Sequence, residues 1–204
     1  MKRLFDIVCS FLLLILLSPL LGAVALVVLI DDGKPVVFKQ DRVGKDERIF
    51  KIYKFRTMKK GTRNAATHDL VESGSVLTRS GKTLRRLSLD ELPQLVNILK
   101  GDMSFVGPRP LIPEETEIRE LRRARDVYSV RPGVTGWSQV NGRDLVDNET
   151  KARMDQEYVS RQSFLFDLKI LFRTVVVVLK RDGIAEGGEQ TDEHSDSSGT
   201  SGTL

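Results

Sequence analysis

Two adjacent carboxylates, Asp90 and Glu91, lie in the apolar segment LSLDELPQ, and their types and spacing suit two different roles. Neighbouring residues on a helix point in different directions, so the pair cannot simply face each other and share a proton. The structural interpretation is helix capping: Ser88 and Glu91 fit a capping box, or Asp90 is itself the N-cap with Pro93 in the first turn. The chemical interpretation is a nucleophilic carboxylate held rigidly beside a second carboxylate that assists it.

Arginines in Gly/Pro-rich sequence form the second group of residues with chemical meaning. Arg79, Arg85 and Arg86 precede the acidic pair, Arg109 lies in VGPRP, and Arg131 and Arg143 lie in RPGVTG and NGR. Guanidinium groups match phosphate oxygens in bidentate geometry, and rigid Gly/Pro loops present such side chains precisely while their N–H groups form anion sites. A single arginine in a loop is usually a solvated surface residue. Three of them in loops of this kind favour a phosphate-binding site.

The motifs of several large enzyme classes are absent from the sequence. It contains no G-x-x-x-x-G-K-[ST], no G-x-G-x-x-G and no G-x-S-x-G, which argues against a P-loop, a dinucleotide-binding fold and a serine hydrolase. Cys9, His68 and His194 are too far apart along the chain to suggest a zinc site. An enzyme acting on phosphates would therefore rely on carboxylates and a divalent cation.

The charge composition favours an anionic partner. The 204-residue chain carries a net charge of +4 and has a pI of about 9.2, which suits phosphate groups, an anionic membrane surface or nucleic acid. Apolar residues make up 40% and charged residues 29% of the chain, a balance typical of a folded domain. The single cysteine excludes an intramolecular disulfide and fits a reducing compartment.

Residues 4–30 form an apolar run in which Asp6 is the only charge, long enough to cross a bilayer core as a helix. A signal peptide with a cleavage site at 23–25 is disfavoured because the run continues past that point. Proline kinks a helix at Ser18-Pro19, and the serine hydroxyl can satisfy a freed carbonyl. Basic residues flank both ends, so both ends favour the cytoplasm. A kinked span and a re-entrant helix that leaves on the side it entered both remain open.

The rest of the chain predicts a mixed α/β fold that is mostly helical. Residues 36–58 predict a β-hairpin, with strands VVFKQ and IFKIYKF joined by the turn DRVGKDE. Helical periodicity resumes near Thr83 and ends at the stop signal Lys100-Gly101. A charged helix is predicted for 114–125 and a long one for 150–181. The apolar stripe of the long helix fits either a membrane interface or packing on the core.

Three segments taken together, KIYKFRTM, LSLDELPQLVNILKGDMSFVGPRP and RPGVTGWSQVNGR, resemble the bacterial sugar transferase family, the monotopic polyprenyl-phosphate phosphoglycosyltransferases. They occur in family order and with family-like spacing across residues 1–185. The length resembles that of the short members, such as those that transfer N,N'-diacetylbacillosamine 1-phosphate and consist of the catalytic core. The loop KKGTRNAATHDLVESGSVLTRSG departs from the pattern by looking shorter than in several relatives.

The resemblance implies a domain organisation at the cytoplasmic face of the bacterial inner membrane. Residues 1–30 would form a re-entrant membrane helix broken at Ser18-Pro19. Residues 31–185 would form a small catalytic domain with a short β-hairpin and interfacial amphipathic helices. Residues 186–204, rich in Gly, Ser, Thr, Glu and Asp, would form a disordered tail.

The resemblance also implies a reaction. A sugar-1-phosphate would pass from a UDP-sugar to undecaprenyl phosphate with release of UMP, the first membrane step in assembling a glycoprotein, O-antigen, capsule or exopolysaccharide. Asp90 matches the nucleophile that forms an aspartyl phosphosugar intermediate and would also be a ligand of Mg²⁺, while Glu91 matches the second member of the acidic dyad. The matching substrate-binding positions are Arg85, Arg109, Arg143, Lys54 and Arg56.

Two other functions are also compatible with the residues. A membrane-anchored, non-catalytic module would use the basic loops to bind anionic partners, and it would tolerate replacement of Glu91. A basic nucleic-acid binder fits the net charge, but no nucleic-acid motif occurs and the first 30 residues indicate a membrane, so nucleic acid is not an expected partner. Among sugars, the resemblance favours an N-acetylated amino sugar and leaves galactose and glucose open.

Overall fold

The structure of the protein, a computed structural model, describes residues 1–62, 76–142 and 146–180. Arg143 and the predicted tail at 186–204 lie outside the described residues, as does most of the loop that follows KIYKFRTM. The described part is a mostly helical α/β structure with a short antiparallel hairpin, which confirms the predicted fold class.

The first two helices are apolar, α1 (Lys2–Leu16) and α2 (Ser18–Asp32), and the chain bends by 64° between them. Pro19 lies at the start of α2, where its missing N–H has no helical partner to lose. The Ser18 hydroxyl donates to the carbonyl of Ile15 at 2.8 Å, so the predicted break and its serine contact are both confirmed. No single helix in the described residues is long and apolar enough to cross a membrane, whereas this bent pair together is.

The single charge of the apolar run is paired with the rest of the domain. Asp6 is 2% exposed, and its carboxylate accepts hydrogen bonds from the Ser104 hydroxyl at 3.1 Å and the Phe105 N–H at 3.3 Å. Farther along, Val24 and Val28 of α2 pack in one core cluster with Phe55 and Leu84. The inner faces of both helices are therefore fixed to the domain, while most of their outer apolar side chains are exposed.

The hairpin forms where it was predicted, with β1 (Val37–Val43) paired antiparallel to β2 (Ile49–Phe55). The first strand is longer than predicted, because Asp41–Val43 continue the ladder instead of joining the turn. The turn is consequently shorter, and it closes with a hydrogen bond from the Gly44 N–H to the Arg48 carbonyl at 2.9 Å.

The helical pattern that resumes after the hairpin is interrupted in the structure. Helix α3 (Arg79–Arg86) and helix α4 (Gln94–Lys100) are separated by a 3-10 turn at Leu89–Glu91. Gly101 ends α4 in the left-handed conformation, with φ of 97°, and its N–H bonds to the Asn97 carbonyl at 3.0 Å. The predicted glycine stop is thus confirmed.

Two very short parallel strands lie in sequence that was expected to be turn-rich, β3 (Ser104–Val106) and β4 (Gly133–Thr135). Helix α5 (Thr116–Arg123) belongs to the connection between them and matches the predicted charged helix. The start of β4 lies very close to the backbone that follows β3, because a Cβ on Gly133 would lie 2.1 Å from the N atom of Gly107. Glycine is required at position 133 for these two backbones to meet.

The C-terminal half contains α6 (Trp137–Asn141), α7 (Asn148–Arg161) and α8 (Phe164–Lys180). The prediction of a single long helix at 150–181 is wrong. The backbone at Gln162 leaves the helical conformation, with ψ of 117°, and a separate helix begins at Phe164. For α8, the interpretation as packing on the core is confirmed, and the interpretation as a membrane interface stays a prediction. One face packs on the core, and the other leaves five large side chains exposed: Phe164, Leu165, Leu168, Phe172 and Val175.

Candidate active site

Asp90 occupies a tight turn between helices rather than a helix cap. Ser88 has a left-handed backbone, with φ of 54°, and in the described structure its side chain caps no N–H group. An N-cap residue normally has an extended backbone that aims its side chain at the following N–H groups, so the capping-box prediction is wrong. Asp90 is not the N-cap either, since that position of α4 is taken by Pro93. The turn places Asp90 inside the domain rather than on a helix end.

Burial makes the Asp90 carboxylate unusual. The residue is 7% exposed, and its pKa is raised from 3.8 to about 6, first because burial penalises the charged form and second because Glu91 is negative. The charges of Lys54 and Arg85 act in the opposite direction. At neutral pH the group is ionised but poorly solvated, which is a favourable state for a nucleophile.

Glu91 is paired with a lysine from the hairpin. The Lys54 Nζ atom of β2 donates to Glu91 Oε1 at 2.7 Å, and both side chains are largely buried. The structure therefore brings together Lys54, Asp90 and Glu91, three of the residues selected from the sequence. Lys54 lies on the part of the hairpin that packs against the 3-10 turn, which contains Glu91.

Arg85 reaches the same cluster from the last turn of α3. Its Nε donates to the hydroxyl of buried Thr57 at 2.8 Å, a contact that orients the guanidinium. Burial lowers the pKa of Arg85, the charges of Asp90 and Glu91 raise it, and the charge of Arg109 lowers it again. Thr57 was missed by the sequence reasoning because a threonine in the RTM segment carries no chemical signal until its partner is known.

Arg109 follows β3 and is exposed, so its guanidinium is accessible to a ligand. A second arginine, Arg42 of β1, was not predicted as a site residue. The Arg42 pKa is lowered to about 10, first by burial and second by the charge of Arg109, while Glu115 and Glu91 act in the opposite direction. Arg42 joins the site because β1 continues through residues that the sequence assigned to the turn.

Arg56 has contacts of a different kind. Its Nη2 donates to the carbonyls of Asp32 at 2.7 Å and Gly33 at 2.6 Å, and it forms an ion pair with the Asp32 carboxylate. These contacts fasten the end of α2 to the hairpin. None of the hydrogen bonds found for Arg56 in the described residues reaches Asp90 or Glu91. Its geometry thus favours a structural role, and Arg143 lies outside the described residues.

Comparison with known proteins shows which family this sequence belongs to. Residues 1–181 match the family model described as bacterial sugar transferase. The chain belongs to the bacterial sugar transferase family. The predicted resemblance, and the prediction of an enzyme of the phosphoglycosyltransferase type, are confirmed by this match and by the relatives.

Three curated relatives of this sugar transferase illustrate the range. An uncharacterized sugar transferase, EpsL of Bacillus subtilis (strain 168), is 42% identical over 98% of the chain and 97% of its own length. The undecaprenyl-phosphate galactose phosphotransferase of Salmonella typhimurium is 40% identical over 90% of the chain but 41% of its own length. The UDP-glucose:undecaprenyl-phosphate glucose-1-phosphate transferase of Escherichia coli (strain K12) is 40% identical over 86% of the chain and 39% of its own length. The chain therefore spans less than half of the last two relatives.

The charges of the transferase site suit a diphosphate. Lys54 and Arg85 act electrostatically on Asp90, Arg42 acts on Glu91, and Arg109 acts on both Arg85 and Arg42. Arg109 and Arg42 repel each other, and Arg109 and Arg85 do the same, so an anion placed among them would relieve unfavourable interactions. This arrangement can hold a negatively charged group while a carboxylate approaches it.

The carboxylates also fit the requirements of Mg²⁺. Among residues 1–62, 76–142 and 146–180, no three His, Cys, Asp or Glu side chains are grouped so that they could hold a metal ion. Mg²⁺ is usually held through one or two carboxylates together with waters and substrate phosphates, so a complete protein cage is not needed. Asp90 and Glu91 therefore fit a magnesium site that substrate completes.

Proposed function

We propose that this sugar transferase moves a sugar-1-phosphate from a UDP-sugar to undecaprenyl phosphate and releases UMP. The observation that carries the proposal is the buried, ionisable carboxylate of Asp90, surrounded by cationic side chains. The names of two relatives agree with this reaction. The Salmonella protein is named as an undecaprenyl-phosphate galactose phosphotransferase and the Escherichia protein as a glucose-1-phosphate transferase. A third, from Aeromonas hydrophila, is named for N-acetylgalactosamine, so the amino sugar expected from the sequence and the two hexoses all stay candidates.

The first step is nucleophilic attack by Asp90. A carboxylate oxygen forms a bond to the β-phosphorus of the UDP-sugar, the bond between that phosphorus and the bridging oxygen breaks, and UMP leaves with the electron pair. The product on the enzyme is an aspartyl phosphosugar. Because burial raises the pKa of Asp90, its carboxylate is more basic and less solvated than an exposed one, which favours attack.

Cationic side chains hold the donor in place for that attack. Arg109 is exposed and can pair with phosphate oxygens in bidentate geometry, while the charge of Arg85 acts on the two carboxylates. Mg²⁺ held by Asp90 and the substrate phosphates would neutralise charge on the diphosphate and make UMP a better leaving group. Together these charges stabilise the negative charge that develops on the departing phosphate.

The second step regenerates the carboxylate. A phosphate oxygen of undecaprenyl phosphate attacks the phosphorus of the aspartyl phosphosugar, and the bond to Asp90 breaks. Glu91 is adjacent to Asp90 and paired with Lys54, so we assign to this pair the positioning of the incoming lipid phosphate. The reaction follows a ping-pong order, since UMP leaves before the lipid reacts.

A re-entrant insertion of residues 1–30 delivers the lipid substrate to this site. The 64° bend at Ser18-Pro19 lets the apolar run enter one leaflet and return to the same side. Exposed apolar side chains on α1 and on the outer face of α8 supply surface for the interface, and the basic residues at both ends of the run favour the cytoplasmic side. The catalytic domain is then held at the cytoplasmic leaflet of the inner membrane.

A UMP-release screen tests the proposal. Purified protein is incubated with undecaprenyl phosphate, Mg²⁺ and a panel of UDP-sugars, with Asp90→Asn as the inactive control. We expect UMP and a sugar-diphospholipid with at least one donor and neither product with Asp90→Asn. Full activity of Asp90→Asn would remove the proposed nucleophile. Absence of UMP with every donor, combined with intact membrane binding, would favour a non-catalytic anchored module.

A further inference from the structure

The segment that carries Arg109 is held by donors from several distant parts of the chain. We call Val106–Leu111 the Arg109 segment. It contains two prolines, which have no N–H group to donate, so contacts beyond those with β4 are needed to fix it. Its carbonyls accept hydrogen bonds from Tyr158 and Lys2 at Val106, Gly133 at Pro108, Arg122 at Arg109, Arg42 at Pro110 and Val43 at Leu111.

Arg122 reaches the segment from the interior. Its Nη1 donates to the Arg109 carbonyl at 2.7 Å, while Nε and Nη2 donate to Asp155 Oδ2 at 2.9 and 2.6 Å. The second Asp155 oxygen accepts the Ser138 hydroxyl at 2.7 Å. Arg122 and Asp155 are almost completely buried, so their geometry is fixed and the donor to the Arg109 carbonyl is rigid.

Arg42 reaches the next carbonyl from the hairpin. Its Nη1 donates to the Pro110 carbonyl at 2.9 Å, and its Nη2 donates to Gln40 at 2.6 Å. Arg42 and Arg122 therefore hold two consecutive carbonyls of the same backbone, one from β1 and one from α5. Neither side chain is assigned a contact with the substrate in the proposed reaction, and desolvating two guanidinium groups, one buried and one partly buried, is an expensive way to fasten an ordinary loop.

We propose that Arg42 and Arg122 are positioning residues that fix the backbone of Arg109, so that its guanidinium is preorganised for the diphosphate of the donor. This inference rests on the proposed function and names the residues that make its phosphate contact precise. The carbonyl of Arg109 and the carbonyl of Pro110 are both held by these donors, so the backbone at Arg109 is fixed before substrate arrives. Holding a phosphate clamp in place contributes to rate because small displacements of a reacting group are costly.

The test separates positioning from stability through coupling with Arg109. The Arg42→Met variant removes one donor. The double variant Arg122→Met with Asp155→Asn removes the other donor without leaving a buried charge unpaired, and it keeps an oxygen for Ser138. We expect each to lower kcat/KM for the UDP-sugar by about 10- to 100-fold in the UMP-release assay. Arg123→Met is the control: it alters the neighbouring, exposed arginine that pairs with Glu47 and should leave kcat/KM unchanged.

The same changes are then combined with Arg109→Lys, and calorimetry measures the affinity of each full-length protein for UDP. A donor that acts through Arg109 should weaken UDP binding when Arg109 is present and have little further effect in Arg109→Lys. Arg42→Lys, which keeps one N–H donor, should retain more affinity than Arg42→Met. Equal losses with and without Arg109, or no loss in either variant, would overturn the inference.

The Asp90→Asn variant distinguishes a failure of the positioning inference from a failure of the proposed function. If Asp90→Asn is inactive while the Arg42 and Arg122 variants behave like wild type, the positioning inference fails and the proposed function stands. If Asp90→Asn retains full activity, the proposed function fails on its own. Coupled losses of UDP affinity would still assign the positioning role, because the binding measurement does not depend on turnover.

Discussion

Replacing Asp90 by asparagine is predicted to abolish transfer and at the same time to stabilise the folded protein. The buried carboxylate has a pKa raised from 3.8 to about 6, which means that the fold disfavours its charged form. The residue is 7% exposed, so solvent screens the effect little. Asparagine has nearly the same shape and carries no charge, so it removes this cost.

The size of the effect follows from the pKa. A shift of about two pKa units corresponds to about 3 kcal/mol, since each unit is worth about 1.4 kcal/mol. The folded protein binds the Asp90 proton more tightly than the unfolded chain does. Its stability therefore falls as the pH rises from about 4 to about 6, and the cost is fully present above that range. Asp90→Asn should gain up to about 3 kcal/mol near neutral pH and almost nothing below about pH 3.

Thermal unfolding of wild type and Asp90→Asn in the same detergent, without divalent cations, measures this difference across the pH range. For a chain of this length the neutral-pH gain corresponds to an increase in Tm of roughly 6–12 °C. The gap between the two proteins should close as the pH is lowered. A gap that is absent at neutral pH, or that does not change with pH, would refute the claim that burial of the Asp90 charge destabilises the fold.

Three further predictions address the surroundings of this carboxylate. Lys54→Met removes a positive charge that lowers the Asp90 pKa, so the acid limb of the pH profile of UMP release should move to higher pH; an unchanged limb would mean that Lys54 does not act on Asp90. Gly133→Ala places a Cβ 2.1 Å from the N atom of Gly107 and should cost about 3 kcal/mol or more in unfolding free energy, measured by denaturant titration, whereas wild-type stability would show that the loops can separate. Chelation with EDTA should stop UMP release and added Mg²⁺ should restore it, and activity that persists in EDTA would exclude the proposed metal.

Features governed by local chemistry could be predicted from the sequence. The helix break at Ser18-Pro19, the hairpin and the glycine stop at Gly101 each depend on residues close together in the chain, and the structure confirms all three. The family resemblance selected Lys54, Asp90 and Glu91 as site residues, and the structure places them together, with Lys54 paired to Glu91.

Features governed by tertiary contacts could not be predicted. Ser88 has a left-handed backbone and does not cap the helix that its sequence context predicts, because the packing of the turn outweighs the local preference. Arg56 looked like a substrate residue but is paired with the end of α2, and Arg42 looked like part of a turn but reaches the site. The partners of both arginines are distant in sequence, so no local pattern indicates which role each one takes.

The most direct test of the central claim is to trap the covalent intermediate. The protein is incubated with Mg²⁺ and a UDP-sugar but without undecaprenyl phosphate, quenched, digested and analysed by mass spectrometry. We predict stoichiometric release of UMP and a phosphosugar adduct on the peptide that contains Asp90, which disappears when the lipid phosphate is added. No adduct, with UMP formed only when both substrates are present, would contradict the account and indicate direct transfer between substrates.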